Sequence, residues 1–130
     1  ELERSFFVGK FDGKVNTVAF EEFGKGYGGD VGVMVAFNLE TDKLKGAAVT
    51  IHSETPGLGA NAKEKPDLVA QFSGLPVSEG VKVTKDGGDI NAISGATITS
   101  RAVCNAVSKT MQVYEKLKPQ LQQEIQKFGK

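Results

Sequence analysis

At 130 residues and 13.8 kDa the chain is one domain by length, large enough to bury a core of its own. Its 16 Lys and Arg balance 16 Asp and Glu, so no excess of positive charge makes nucleic acid or anionic lipid a first-choice partner. The lone His52 and Cys104 fall short of the about four ligands a structural zinc site takes, and a single cysteine excludes an intramolecular disulfide.

The N-terminal Glu-Leu-Glu-Arg is charged and carries no apolar signal region, which leaves either a cytoplasmic protein or one whose export or anchoring segment was removed. From Arg4 to Phe23 apolar and polar residues alternate around Asp12-Gly13, a dipeptide suited to a tight hairpin. The pattern predicts strands over 5–11 and 14–21. The run Gly24-Lys25-Gly26-Tyr27-Gly28-Gly29 is too rich in glycine for regular structure. It reads either as a flexible connector or as a place where another backbone or a flat ligand comes close.

Val31, Val33, Val35, Phe37 and Leu39 recur every second residue, which on a strand puts all five on one face. This apolar run is far shorter than the roughly 20 residues of a membrane helix. Glu40 to Lys43 turns the chain, and Leu44 to His52 returns with Val49 and Ile51 on one face and Thr50 and His52 on the other. The loop Glu54-Thr55-Pro56-Gly57-Leu58-Gly59 is then shaped by proline and glycine rather than by ladder hydrogen bonds.

Pro66 suits the first turn of a short helix over about 66–72. Val81 to Thr84 and Asp89 to Ile93 read as two more strands about the turn Lys85-Asp86-Gly87-Gly88. Beyond Thr97 the period changes. Val103, Ala106, Val107, Met111, Tyr114 and Leu117 recur at three and four residues, the pattern of an amphipathic helix with Thr99 or Ser100 as its N-cap. Pro119 stops or kinks that helix, and Leu121, Ile125 and Phe128 continue the stripe in a second piece. The whole predicts a single α+β domain over residues 1–130. It combines a small antiparallel sheet or sheets built from hairpins, one short middle helix and a long C-terminal helix broken near Pro119.

The stretch Ser94-Gly95-Ala96-Thr97-Ile98-Thr99-Ser100 is uncharged, carries four hydroxyls and leads into the long helix. The first N–H groups of a helix have no partner inside it, and together with the peptide dipoles they favour a phosphate. Gly95 and Ala96 leave room beside Thr97. The same residues also suit an ordinary Ser/Thr capping segment. Cys104, among small residues, reads as a small buried hydrophobe, and His52 as a surface or hydrogen-bonded residue with no catalytic role.

Taken as a string, SGATITS followed by Arg101-Ala102-Val103, with ETPGLG and GYGG upstream in that order, resembles the FMN-binding domain family of Rnf- and Nqr-type membrane redox complexes. The likeness is to the G component of the Rnf-type ion-translocating complexes and, less closely, to the C component of the sodium-translocating NADH:quinone reductases, over about residues 26–118. It implies that Thr97 carries FMN through a phosphoester, installed by an FAD-dependent flavin transferase with AMP as leaving group.

Ser94, Gly95, Ala96, Thr99 and Ser100 would then surround the phosphate. Glu54 and Thr55 would be polar contacts, Pro56, Gly57 and Leu58 would pack on the isoalloxazine face, and Tyr27 would stack on the flavin or pack beside the glycines. The likeness further implies an electron-transfer domain, not catalytic alone, in a membrane-bound ferredoxin:NAD oxidoreductase complex. There it would sit at the extracytoplasmic face beside other membrane subunits, anchored by an N-terminal helix not in this chain. Asn91 stands where the family's flavinylation motif usually has Asp. Two alternatives remain, the flavin-carrying domain of an extracellular flavin-dependent reductase and a module that binds phosphate or FMN without a covalent bond.

Overall fold

The computed structural model describes residues 7–11, 14–54, 59–78 and 80–128. Two-residue alternation builds its first half. Strands β1 (Phe7–Phe11), β2 (Lys14–Lys25), β3 (Asp30–Asn38) and β4 (Lys43–Ile51) form one antiparallel sheet in the order β1-β2-β3-β4. The inner face is set by β3, where Val31, Val33, Val35 and Phe37 are all fully buried, with Val18 and Phe20 of β2 beside them. Burying each such side chain contributes about 1.5–3 kcal/mol.

The predicted end of β2 at residue 21 is corrected. The strand runs on through Gly24 to Lys25, and only Gly26 to Gly29 form the turn, closed by the Gly26 N–H donating to Gly29 O at 2.8 Å. Lys25 pairs with Asp30, so this glycine stretch is a hairpin loop rather than a flexible connector.

The expectation that Ile51 shares the inner face with Val49 is also corrected. Gly32 pairs with Ile51 but Val33 with Val49, so Thr50 is an extra residue in β4. A bulge of this kind flips the alternation beyond it. Val49 stays buried while Ile51 is 54% exposed.

Over this sheet lies one helix, α2 (Thr97–Phe128). Its buried face carries the predicted Val103, Ala106, Val107, Met111 and Tyr114, joined by Ala102, while Leu117 of the same predicted stripe is half-buried. Phe37 stacks on Tyr114 with ring centroids 4.6 Å apart and meets Phe20 edge-on at 6.0 Å. Gly24 allows the close approach of sheet and helix, because a Cβ there would lie 2.0 Å from the Ala102 carbonyl oxygen.

The predicted break near Pro119 does not end the helix, which continues to Phe128 as one element. Proline removes one helical N–H and crowds the carbonyl four residues back, that of Glu115. Both residues are on the exposed side of the helix, where solvent can satisfy a carbonyl that loses its helical donor. The start is corrected as well, since the helix begins at Thr97 and encloses Thr99 and Ser100 in its first turn.

Between sheet and helix the chain is irregular. The single helix expected over 66–72 is replaced by α1 (Asn61–Glu64) and a 3-10 turn at Val69–Phe72, with Pro66 between them. Leu68 and Phe72 anchor this stretch in the core. The two strands expected over 81–84 and 89–93 reduce to one isolated parallel bridge, Val83 to Ile90. A 3-10 turn takes up Thr84–Asp86, and Gly87 at φ 90° redirects the chain, which leaves too few extended residues for a ladder. Burial of Val83 and Ile90 holds the segment instead. Among the described residues, no helix is long and apolar enough to cross a membrane.

Candidate functional site

Three stretches far apart in sequence converge at one end of the sheet: the β2–β3 turn, the residues after β4, and the start of α2. The β2–β3 hairpin brings Tyr27 to the turn, where the residue is 76% exposed. The sequence after β4 carries Glu54 inward, and its carboxylate accepts the backbone N–H of Tyr27 at 2.8 Å and of Gly28 at 2.7 Å. From α2, the Thr99 hydroxyl donates to Glu54 Oε1 at 2.5 Å. Burial pushes the Glu54 carboxyl up, but the bonds from Thr99, Gly28 and Tyr27, with His52 nearby, outweigh it and hold the pKa below its ordinary value.

The first hydrogen bond of the helical ladder runs from the Ser100 N–H to Ala96 O at 3.0 Å. The N–H groups of Thr97, Ile98 and Thr99 therefore precede the ladder and have no partner in it. The Ser100 hydroxyl donates to Ala96 O and accepts the Ile93 N–H, both at 2.9 Å, which braces the loop ahead of the helix. On the next turn Arg101 forms a two-pronged pair with Asp86, at 2.8 and 3.0 Å, tying the helix start to the 3-10 turn.

These walls enclose an open cleft of about 550 Å³, lined by Tyr27, Gly59, Gly95, Ala96, Thr97, Ile98 and Thr99. Small-molecule pockets span about 300–1,000 Å³. Of the residues singled out from sequence, Tyr27, Gly95, Ala96, Thr97 and Thr99 come together here, with Thr97 half-buried. Ser94 faces a neighbouring cleft of about 530 Å³ with Asn61, Lys65, Gln71 and Asn91. There the Gln71 amide pairs with the backbone of Asn91, accepting its N–H at 2.7 Å and donating to its carbonyl at 2.9 Å.

The hydroxyls of Thr99 and Ser100 are turned into the protein, and Glu54 is 6% exposed, behind the lining rather than in it. Thr55, Pro56, Gly57 and Leu58 lie outside the described residues.

Two lining residues were missed by sequence reasoning. Ile98 is 47% exposed, and its signal was its position off the apolar stripe of α2. Gly59 closes the ETPGLG loop but was not singled out there, because what requires glycine at that position is Thr99 Oγ1, 2.5 Å from where a Cβ would sit. Cys104 is 2% exposed, and burial, helped by Asp86, pushes its thiol pKa up to about 12, which leaves it an unreactive packing residue.

The model of the FMN-binding domain family matches residues 26–112. The G component of the ion-translocating oxidoreductase complex of Cereibacter sphaeroides is 37% identical over 120 residues, covering 88% of this chain and 54% of that protein. Among solved structures, the C component of the Na(+)-translocating NADH-quinone reductase from Parabacteroides distasonis superposes with a TM-score of 0.74 at 27% identity, covering 87% of this chain and 61% of that one. NqrC of Shewanella oneidensis superposes with a TM-score of 0.70 at 27% identity, covering 90% and 60%. The chain thus spans about half the length of the curated relatives it matches.

Proposed function

The chain belongs to the FMN-binding domain family, and from that premise we propose that it is the flavin-carrying domain of an ion-translocating oxidoreductase complex, with FMN held through a phosphoester on Thr97. The observation that carries this reading is the place of Thr97. It lines the cleft at the helix start, where the N–H groups of Thr97, Ile98 and Thr99 precede the ladder. A phosphate on the Thr97 oxygen would meet those donors and the positive end of the 32-residue α2.

The residues present fit the group. Gly95 and Ala96 leave space beside the phosphate, and Tyr27 and Ile98 offer apolar surface to a planar ring system. Ser100 keeps the 93–96 loop against the helix, so the backbone that leads into Thr97 is held in place. When bound, FMN supplies the electron-transfer chemistry, while the protein sets its position and surroundings. The relatives' names support a place in a multi-subunit redox complex that moves ions. On this reading the domain works beside membrane subunits at the extracytoplasmic face and turns over no metabolite alone.

Co-expression with an FAD-dependent flavin transferase tests the proposal. The expected result is an intact-mass gain of one FMN less one water, with flavin absorbance that survives denaturation and is lost in Thr97→Ala. Flavin that washes out on denaturation would favour the non-covalent module, a reading that Asn91 supports by replacing the charge of the usual Asp. Flavin retained covalently by Thr97→Ala would overturn the assignment of the acceptor.

A further inference from the structure

Among the described residues Glu54 is the buried acid, and it stands where the two walls of the cleft meet. Its oxygens are already committed. Oε1 takes the Tyr27 N–H and the Thr99 hydroxyl, and Oε2 takes the Gly28 N–H. A carboxylate with three of its about four acceptor sites taken, in a residue 6% exposed, is badly placed to meet a ligand, and its charge would repel a phosphate.

The surrounding glycines are cut to fit it. A Cβ on Gly26 would lie 2.5 Å from Glu54 Oε1, one on Gly28 2.2 Å from Ser53 O, and one on Gly59 2.8 Å from Glu54 Cβ. The turn that carries Tyr27 is otherwise glycine on either side, and such backbone has wide freedom unless something tethers it. Charge-assisted bonds are roughly twice as strong as neutral ones, which suits a tether.

We propose that Glu54 is a positioning residue of the cleft: its carboxylate holds the Tyr27–Gly28 backbone against the first turn of α2 and so sets the spacing between Tyr27 and Thr97, without touching the ligand. The tether itself stands on the unmodified protein, and only its use for a flavin rests on the function proposed above. Gln at this position has one acceptor oxygen for donors that now meet two, so an N–H of the amide would face a backbone N–H. Thr99→Val removes the helix-side donor at nearly constant volume, and Thr99→Ser restores it.

Amide hydrogen exchange by NMR on the unmodified chain provides the test. In Glu54→Gln the amides of Tyr27 and Gly28 are expected to exchange at least about tenfold faster, the loss of a bond to a charged group, while those of Val33 and Val35 keep the wild-type rate. Thr99→Val should show the same local pattern at smaller size, and Thr99→Ser should return it to wild type. In flavin-loaded protein, verified by mass, Glu54→Gln should raise flavin fluorescence as Tyr27 loosens from the ring. Unchanged exchange at Tyr27 and Gly28 in Glu54→Gln would overturn the proposal, as would a uniform acceleration of all amides, which marks a merely structural role. A wild-type chain that takes no flavin would defeat the proposed function and leave the exchange result standing.

Discussion

Gly24 decides how closely α2 sits on the sheet, and nothing near it in sequence says so. The residue that forbids a Cβ there is Ala102, whose carbonyl oxygen would be 2.0 Å away. Gly24→Ala is therefore expected to cost about 1–3 kcal/mol, the range for overpacking a filled site, seen as a lower urea midpoint with an unchanged slope. Tyr114 is a second such residue. It is fully buried against Phe37, and its hydroxyl donates to Asp42 Oδ1 at 2.6 Å, while Lys118 holds Oδ2 at 2.6 Å. Burial and the bond to Asp42 push the phenol's pKa well up. Tyr114→Phe keeps the stack and leaves Asp42 one donor short, which should lower stability by about 1.5–3 kcal/mol by the same denaturation. Its place on the helical stripe was readable from spacing, but Asp42 as its partner was not.

The elements were legible where a period ran unbroken. Strand β3 follows its pattern residue by residue, and α2 follows its own from Val103 to Tyr114, because burial on one side imposes the period directly. Strand β4 departs from its pattern at Thr50, since a bulge depends on how β3 pairs with it. The stretch 66–93 is held by single anchors such as Leu68, Phe72 and Val83 rather than by a repeated pattern, so its strands and helix were misread. Helix α2 passes through Pro119, which with Glu115 lies on its exposed side, where solvent can offset a lost helical bond. Pro119→Ala should lengthen the ladder and raise stability by up to about 3 kcal/mol, less whatever rigidity the proline gave the unfolded chain. A urea midpoint below wild type would contradict this.

At the scale of the whole molecule, charge is the quantity that function and folding share. Lys118 beside Asp42 and Arg101 beside Asp86 hold both carboxyls below the usual 3.8, and Glu54 lies below 4.5 once its hydrogen bonds outweigh burial. Each folded value lies under its unfolded one, so the stabilisation is complete above the unfolded values and is lost as pH falls through the folded ones. The denaturation midpoint should be flat from pH 7 to about 5 and drop below about pH 4, with a shallower drop in Glu54→Gln. The bare chain has a formal charge of zero and a pI near 6.9. A phosphodiester on Thr97 adds about one negative charge, so loaded protein should focus at a lower pH than Thr97→Ala from the same host.

By itself the sequence determined the class of fold and the segment that matters for function, because alternation, helical period and the SGATITS string are local properties. Tertiary structure alone decided which hydroxyls are already spent: Thr99 and Ser100 are turned inward to Glu54 and to Ala96, while Thr97, equal to them by composition, lines the cleft half-buried. For Thr99 that choice follows from a carboxylate 45 residues away in sequence, which is not encoded in the neighbourhood of the hydroxyls themselves.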